Sequence, residues 1–315
     1  MTHDVVVIGS ANADLVVEVP RRPGGGETLL GGDLRLLPGG KGANQAAAAA
    51  RCGADTGLLA CLGADANGAF LRERLAEAGV DIGGVLETDR PTGTAVILLT
   101  PDGENSIIVS PGANGALTVE LAERHAGAWE GARVCVLSLE IPEETALRVA
   151  GRAAAAGARV VLNAAPAARI PRETLRLCDP LIVNEHEALA VLGEDAESGT
   201  SPEDYARVAE RLLAAGARSV VITLGADGAV VAERDTAPRI VHVPAYRVRA
   251  IDTTGAGDAF VGAVACELAA GSGLVDAVRF ATAVSAVSVQ RLGAQASYAD
   301  RAEVEAFIAL HRARS

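Results

Sequence analysis

The chain has 315 residues, half of them hydrophobic, and a formal net charge of −12. This length suits one large α/β domain, and the acidic balance without a basic tract argues against nucleic acid as a partner. The five cysteines are odd in number and scattered through hydrophobic runs, and no segment is long and hydrophobic enough to cross a membrane, so we expect a cytoplasmic protein with reduced thiols and no membrane partner.

The first segment, residues 4–9, is a β-branched run that ends in glycine and predicts a buried parallel strand. Asn12 and Asp14 follow it at the point where such a strand opens onto a ligand crevice. Both residue types are also common in ordinary turns, and either interpretation fits the pattern taken alone.

Two stretches interrupt the expected alternation of strands and helices. The first contains short strand-like pieces at 15–19, 28–30 and 33–37, separated by proline and glycine, and the second repeats that style. We expect these lid strands, inserted at about 14–38 and 92–112, to form a small sheet beside the main domain.

Between the two stretches, residues 38–45 read PGGKGANQ and lead into an alanine-rich helix. The glycines leave backbone exposed at the helix start, and Lys41 and Asn44 add donors, so the run predicts a site for a hydroxyl-rich or anionic ligand. A glycine-rich connector without a ligand is the alternative. The run is not a P-loop, because Gly42 rather than serine or threonine follows the lysine.

The rest of the chain alternates strand and helix. Strands are predicted at 56–61, 133–139, 159–163, 180–183, 218–223 and 239–243, and helices at 65–78, 118–127, 143–156, 184–192, 202–214, 255–270, 274–290 and 300–311. Such alternation predicts a mainly parallel sheet with helices on both faces, within a single domain spanning 1–315.

Residues 251–262, IDTTGAGDAFVG, form a glycine turn that opens into a helix. The backbone N–H groups of Gly255, Ala256 and Gly257 at that helix start favour an anion. If the anion is a phosphoryl group, Asp258 in the first turn is placed to take a proton from an attacking hydroxyl. A simple helix cap fits the local pattern equally well. Phe260 stands where the dinucleotide fingerprint requires glycine, so a nucleotide here must bind in another way.

Six segments together resemble the ribokinase family of sugar kinases. They read GSANAD (9–14), PGGKGANQA (38–46), NAAP (163–166), NEHE (184–187), TLGADG (223–228) and DTTGAGD (252–258). The resemblance runs from about residue 4 to 310. It implies that family's three-layer α/β/α fold with a mainly parallel sheet and a small β-sheet lid, and transfer of the γ-phosphoryl group of ATP to the 5-hydroxyl of D-ribose.

The resemblance also implies roles for individual residues. Asp258 would be the catalytic base, and Gly255, Ala256 and Gly257 would form the anion hole. Together with Asp258, the sugar hydroxyls would be held by Asn12, Asp14, Gly40, Lys41, Asn44 and Glu140. ATP would be bordered by Asn184, Thr223, Gly225, Gly228, Gly257 and Thr282.

Two cations are implied as well. Glu187 would hold the Mg²⁺ that accompanies ATP, through water, although one helix turn with a polar face is the alternative for Asn184 and Glu187. A K⁺ site beside the anion hole would be formed, mostly through backbone carbonyls, by Asp252, Thr254, Ser288, Arg291, Gly293 and Ser297. We also expect a homodimer paired through the lid, because a second copy is the usual cover for an exposed apolar sheet face.

Two further interpretations stay open. One keeps the kinase and changes the substrate to 2-deoxyribose, fructose or another sugar, since pocket volume decides that choice. The other is a sugar-binding regulatory protein without catalysis, against which the intact Asp258 and its glycine turn argue. The preference for ATP over another nucleotide rests on the family resemblance alone.

Overall fold

The computed structural model of the protein describes residues 3–101, 105–194, 201–234 and 238–312. Within these ranges the strands are β1 Val5–Ile8, β2 Asn12–Glu18, β3 Arg35–Gly39, β4 Thr56–Gly63, β5 Val85–Thr88, β6 Gly93–Leu99, β7 Asn105–Ser110, β8 Val134–Ser138, β9 Arg159–Asn163, β10 Cys178–Asn184, β11 Ser219–Thr223, β12 Ala229–Glu233 and β13 Arg239–Val243. The α-helices are α1 Lys41–Arg51, α2 Ala66–Glu77, α3 Val119–Arg124, α4 Glu143–Ala155, α5 Arg172–Leu175, α6 Glu185–Leu192, α7 Pro202–Ala215, α8 Ala256–Ala269, α9 Leu274–Ser288 and α10 Arg301–Arg312.

The larger sheet has the strand order β13-β12-β11-β10-β9-β8-β1-β4-β5. Every pairing from β5 across to β11 is parallel, and only the pairings of β12 with β11 and with β13 are antiparallel. The interior strand β1 is buried along its whole length, as its unbroken β-branched run predicts. The expected mainly parallel sheet is therefore confirmed.

Alternate residues of β1 pack into two different hydrophobic layers. Val5 and Val7 lie in the cluster that contains the buried faces of α1, α8 and α9. Val6 and Ile8 lie in the cluster that contains those of α4, α6 and α7. Because successive side chains of a strand point to opposite faces, the helices cover both faces of the sheet, which confirms the three-layer α/β/α architecture.

The smaller sheet has the order β3-β2-β6-β7 and is built from the two insertions. The register pairs Leu15 with both Leu36 and Val96, and Val96 with Ile108, so these residues share one face. Leu36, Val96 and Ile108 are 40%, 36% and 68% exposed. The expected lid sheet is thus present, and one of its faces carries exposed aliphatic side chains.

Four short elements differ from the sequence prediction. Residues 28–30 are not a strand: they lie between glycines, pair with no strand, and leave Leu30 90% exposed. The strands Val85–Thr88 and Ala229–Glu233 and the single turn Arg172–Leu175 were not predicted. Segments of four or five residues are too short to establish a hydrophobic period, so pairing and packing determine them. No helix in the described ranges combines the length and hydrophobicity needed to span a bilayer.

Candidate active site

The carboxylate of Asp258 lies in the first turn of α8 and is only 8% exposed. Its Oδ1 accepts a hydrogen bond from Gln45 Nε2 at 3.0 Å, and its Oδ2 accepts one from Asn44 Nδ2 at 2.9 Å. Burial raises the pKa of Asp258 above its usual range, although Lys41 and the two amides act in the opposite direction. The result is a fixed, desolvated carboxylate whose proton affinity suits a base.

Close packing of α1 against α8 brings these amides to Asp258. A Cβ on Gly262 of α8 would lie 2.5 Å from the carbonyl of Gln45 and 2.6 Å from Cβ of Ala48, so only glycine permits the approach. On the other side, the alanine side chains of α1 are nearly all buried. The glycine and the alanine run therefore set the distance between the two helices.

The amide groups continue as a buried network on both sides of Asp258. Gln45 Nε2 also donates to Asn163 Oδ1 at 3.0 Å, and Asn163 Nδ2 donates to the carbonyl of Ile182. On the other side, Gln295 Nε2 donates to Asn44 Oδ1 at 3.0 Å. The outer amides of Asn163 and Gln295 thereby hold those of Gln45 and Asn44 with their NH₂ groups toward the carboxylate.

The site has two corners, one around Asp258 and a second formed by Asn12 and Asp14. These two residues lie on β2, just after the carboxyl end of β1. Asn12 Oδ1 accepts a hydrogen bond of 2.7 Å from Asn114, which itself accepts from the backbone of Ala11. Asp14 Oδ1 is buried and accepts no hydrogen bond from the described residues. Burial, followed by the nearby carboxylates of Glu140 and Asp258, raises the pKa of Asp14 to about 7.

Glu140 and the start of α1 complete this corner. Glu140 Oε2 accepts from the hydroxyl of Ser10 at 2.6 Å and from the backbone N–H of Lys41 at 3.1 Å. Gly40 is the N-cap residue of α1. Burial alone would lower the pKa of Lys41, but the carboxylates of Asp258, Glu140 and Glu187 outweigh it and the net change is upward. A charged ammonium therefore stands among these carboxylates.

The backbone before Asp258 matches the predicted anion hole in part. Gly255 is the N-cap of α8, and no described residue accepts a hydrogen bond from the N–H of Gly257 or Asp258. The N–H of Ala256 donates to the carbonyl of Thr253 at 3.2 Å. Unpaired N–H groups and the helix dipole at this end favour an anion beside Asp258.

The predicted nucleotide residues lie at the carboxyl ends of β10 and β11, where Asn184 and Thr223 are neighbours in the sheet register. Asn184 and Glu187 form a capping box: Glu187 N–H donates to Asn184 Oδ1, and Asn184 N–H donates to Glu187 Oε2, each at 2.8 Å. Burial raises the pKa of Glu187, partly offset by the Asn184 N–H and by Lys41. Gly225 and Gly228 form the tight turn after β11.

The predicted cation segments meet at the same end of the molecule. Asp252 accepts from the N–H and hydroxyl of Thr254 and, at 2.8 Å, from the N–H of Gly293. Burial acts to raise the pKa of Asp252, but these hydrogen bonds outweigh it and lower the pKa. The buried hydroxyls of Ser288 and Ser297 share a hydrogen bond of 2.6 Å. Asp252 therefore ties the two loops together.

Two predicted residues have side chains engaged elsewhere. The hydroxyl of Thr282 donates to the carbonyl of Arg279 within α9. The guanidinium of Arg291 pairs with Glu303 on α10. A cation contact at Arg291 therefore falls to its backbone carbonyl.

Several residues of this site were not singled out from the sequence, namely Gln45, Asn163, Gln295, Asn114 and Ser10. Ser10, Gln45 and Asn163 lie inside segments that carry the family resemblance, Asn114 lies just after the second lid insertion, and Gln295 lies between Gly293 and Ser297. Their positions in those segments were a usable signal. Their hydrogen-bond partners could not be predicted from the sequence, because each hydrogen bond joins segments that are far apart in the chain.

The chain is similar to known proteins over nearly its whole length. Residues 2–301 match the family described as pfkB family carbohydrate kinase. The chain is similar to a ribokinase of Schizosaccharomyces pombe, with 38% identity over 313 residues, which is 96% of each protein. It is similar in structure to Arabidopsis thaliana ribokinase complexed with ribose and ATP, with a TM-score of 0.89, 33% identity and coverage of 98% of this chain and 99% of the other. A Thermotoga maritima ribokinase gives a TM-score of 0.87 at 36% identity, covering 97% and 99%.

Proposed function

Because the chain belongs to the pfkB family of carbohydrate kinases, we propose that it transfers the γ-phosphoryl group of ATP to the 5-hydroxyl of D-ribose, giving D-ribose 5-phosphate and ADP. One observation carries the proposal. A buried carboxylate, Asp258, is held by two amide donors beside the unpaired N–H groups of a helix start. A base next to an anion site is the arrangement that phosphoryl transfer to a hydroxyl requires.

In the proposed reaction, the oxygen of the 5-hydroxyl forms a bond to the γ-phosphorus while the bond from that phosphorus to the bridging oxygen of ADP breaks. The proton of the hydroxyl passes to Asp258, whose burial raises its pKa toward the range of an effective base. The N–H groups of Ala256, Gly257 and Asp258 stabilise negative charge on the transferring oxygens. Lys41 contributes a positive charge in the same cleft.

The sugar is assigned to the corner formed by Asn12, Asp14 and Glu140. Asp14 Oδ1 lacks a donor among the described residues, and hydroxyl groups of a sugar supply such donors. A site that pairs hydroxyls discriminates against sugars lacking them, because its buried polar groups are then left unpaired. Gly40, Lys41 and Asn44 border the same corner from the start of α1.

For the nucleotide, we assign the phosphates to the region between α8 and the turn Gly225–Gly228, with Asn184, Thr223 and Thr282 at its edge. Glu187 fits a divalent cation: only one of its carboxylate oxygens is used in the capping box. We assign this contact with Mg²⁺ to bridging water. When bound with ATP, Mg²⁺ neutralises phosphate charge.

The proposed K⁺ site is supported by backbone oxygens. The carbonyls of Thr254, Arg291, Gly293 and Ser297 accept no hydrogen bond from described residues, and the loops that carry them are joined through Asp252. Neutral carbonyl oxygens in such number fit a hard monovalent cation. The site adjoins the turn that leads into Gly255, so a bound cation would stabilise the turn that forms the anion hole.

We also propose that two copies pair through the small sheet. The exposed Leu36, Val96 and Ile108 form an aliphatic stripe across three of its strands. A second copy would remove this stripe from water.

We further propose that the chain forms a single domain and that the protein resides in the cytoplasm. The continuous family match supports the first, and the five buried free cysteines support the second.

The decisive experiment measures ADP release by the purified protein with MgATP and D-ribose, 2-deoxy-D-ribose, D-fructose or adenosine, each in K⁺ and in Na⁺ alone. Turnover with ribose that rises in K⁺ is the expected result. Faster turnover with another sugar would keep the mechanism and change the substrate. Ribose binding without any turnover would instead favour a regulatory protein.

A further inference from the structure

Two side-chain hydroxyls lie behind the anion hole and contact its backbone carbonyls. The hydroxyl of Tyr298 donates to the carbonyl of Gly255 at 3.0 Å, and the hydroxyl of Ser285 donates to the carbonyl of Ala256 at 3.0 Å. Tyr298 is 4% exposed and Ser285 lies on α9, so they approach from different elements. Neither was predicted from the sequence as a functional residue.

These carbonyls belong to two peptide units of the predicted anion hole. A peptide unit is planar and trans, so its C=O and N–H point in opposite directions. The carbonyl of Gly255 shares its unit with the N–H of Ala256, and the carbonyl of Ala256 shares its unit with the N–H of Gly257. Holding each carbonyl toward the protein interior therefore aims the corresponding N–H outward.

The fold itself does not require both contacts. The carbonyl of Gly255 already accepts the helical hydrogen bond of Ala259 N–H at 2.8 Å, so Tyr298 adds a second donor. Gly255 has a φ of 72°. A Cβ on Gly255 would lie 2.6 Å from Ala294 Cβ and 2.7 Å from the Tyr298 hydroxyl, so the turn packs directly against Tyr298. Burial, followed by the charge of Asp258, raises the pKa of Tyr298 well above its usual range, which keeps the hydroxyl protonated as a donor.

We propose that Tyr298 and Ser285 are positioning residues that fix the two peptide units of the anion hole, so that the N–H groups of Ala256 and Gly257 meet the transferring phosphoryl group in the transition state. The inference rests on the proposed kinase function and deepens it. An anchored peptide unit does not need to reorient as charge develops, which is the source of the catalytic benefit. The N–H of Ala256 would share its hydrogen between the carbonyl of Thr253, 3.2 Å away in the free protein, and the phosphoryl oxygen, so its peptide unit keeps its orientation.

The test removes one hydroxyl at a time. Tyr298→Phe keeps the ring, and Ser285→Ala keeps the small side chain, so the packing is nearly unchanged. Because an anion-hole donor is misaligned rather than deleted, we expect kcat to fall about 10-fold in each variant, below the ~10²–10³ of losing a donor. The KM for D-ribose and the dissociation constant for ADP should stay within twofold of the parent.

Matched controls remove the same atoms elsewhere. Tyr246→Phe alters a tyrosine packed against Phe307, and Ser272→Ala removes a hydroxyl bonded to Glu267 at the opposite end of α8. Both controls should retain the parent kcat. A second readout needs no turnover: calorimetry of ADP with aluminium fluoride and D-ribose, which imitates the transferring phosphoryl group. Its affinity should fall about 10-fold in Tyr298→Phe and Ser285→Ala, with ADP alone unaffected.

The outcomes separate the two levels of the proposal. A parent protein that releases no ADP with any sugar contradicts the proposed function. An active parent whose Tyr298→Phe and Ser285→Ala variants keep kcat and transition-state-mimic affinity within twofold contradicts only the positioning role. The positioning role is also contradicted if the only effect of the substitutions is a lower melting temperature or a higher KM for the sugar.

Discussion

Two carboxylates of the candidate site, those of Asp258 and Asp14, differ in how their oxygens are hydrogen-bonded. At the start of α8, each oxygen of Asp258 accepts an amide hydrogen bond, from Asn44 or from Gln45. On β2, Asp14 Oδ1 is buried with no donor among the described residues. Burial is the largest cause of a raised pKa at both positions.

The difference indicates two tasks. Asp258 is oriented before any ligand arrives, as a base must be if the reaction is not to wait for its rearrangement. Asp14 Oδ1 lacks a hydrogen-bond donor in the free protein. A polyhydroxy ligand would supply that donor when it binds. The Asp258 corner is thus organised for the reaction and the Asp14 corner for recognition.

The largest expected effect comes from Asp258→Asn, which removes the base while keeping its size. We expect kcat to fall roughly 10³-fold, within the range contributed by general base catalysis. The affinity for D-ribose, measured by calorimetry, should change far less. Asp276→Asn, an exposed carboxylate paired with Arg279 on α9, is the control. A variant at position 258 with kcat within tenfold of the parent would remove Asp258 from the role of base.

The next effect tests the recognition corner through Asp14→Asn. Loss of charged hydrogen bonds to the sugar should raise its KM by roughly 10–100-fold, with a smaller change in kcat. Without ligand, the melting temperature should not fall, because the replaced carboxylate is desolvated and unpaired. Glu18→Gln, at an exposed position of the same strand, provides the comparison. An unchanged KM would show that Asp14 does not bind the substrate.

A smaller effect is expected from Gln45→Leu, which fills similar space without an amide. Asp258 keeps the hydrogen bond from Asn44 but loses the one from Gln45, so its orientation loosens. We expect a roughly 10-fold lower kcat with an unchanged KM for ATP, since positioning defects act mainly in the transition state. Steady-state kinetics check this, and an equal rise in both KM values with constant kcat would contradict it.

A separate prediction concerns how the stability of the fold depends on pH. In the folded protein the pKa of Asp14 is about 7, against 3.8 for the ordinary side chain. The folded state therefore binds more protons than the unfolded state between these values, so the stability from this group is full below pH 3.8 and is lost as pH rises through about 7. Denaturant unfolding of parent and Asp14→Asn across this range isolates the slope, because other groups cancel in the difference. Parallel curves would contradict the raised pKa.

Much of this fold was predictable because its signals are local. The β-branched run of β1 identified a buried interior strand, and the glycine turn before Asp258 identified the helix that carries this carboxylate. The four missed or wrong segments are short, and their state depends on neighbouring strands. The capping box of Asn184 and Glu187 lay in one sequence segment, so it could have been predicted from the spacing alone.

The sequence by itself determined the order of strands and helices, the inserted lid strands and the residue types of the site, because hydrophobic period and glycine-rich turns are properties of adjacent residues. Only the tertiary structure decided which groups touch. Asn44 lies 214 positions from Asp258, and Tyr298 lies 43 positions from Gly255. Such contacts depend on how closely α1, α8 and α9 approach one another, and that distance is set by small residues such as Gly262 packing in three dimensions.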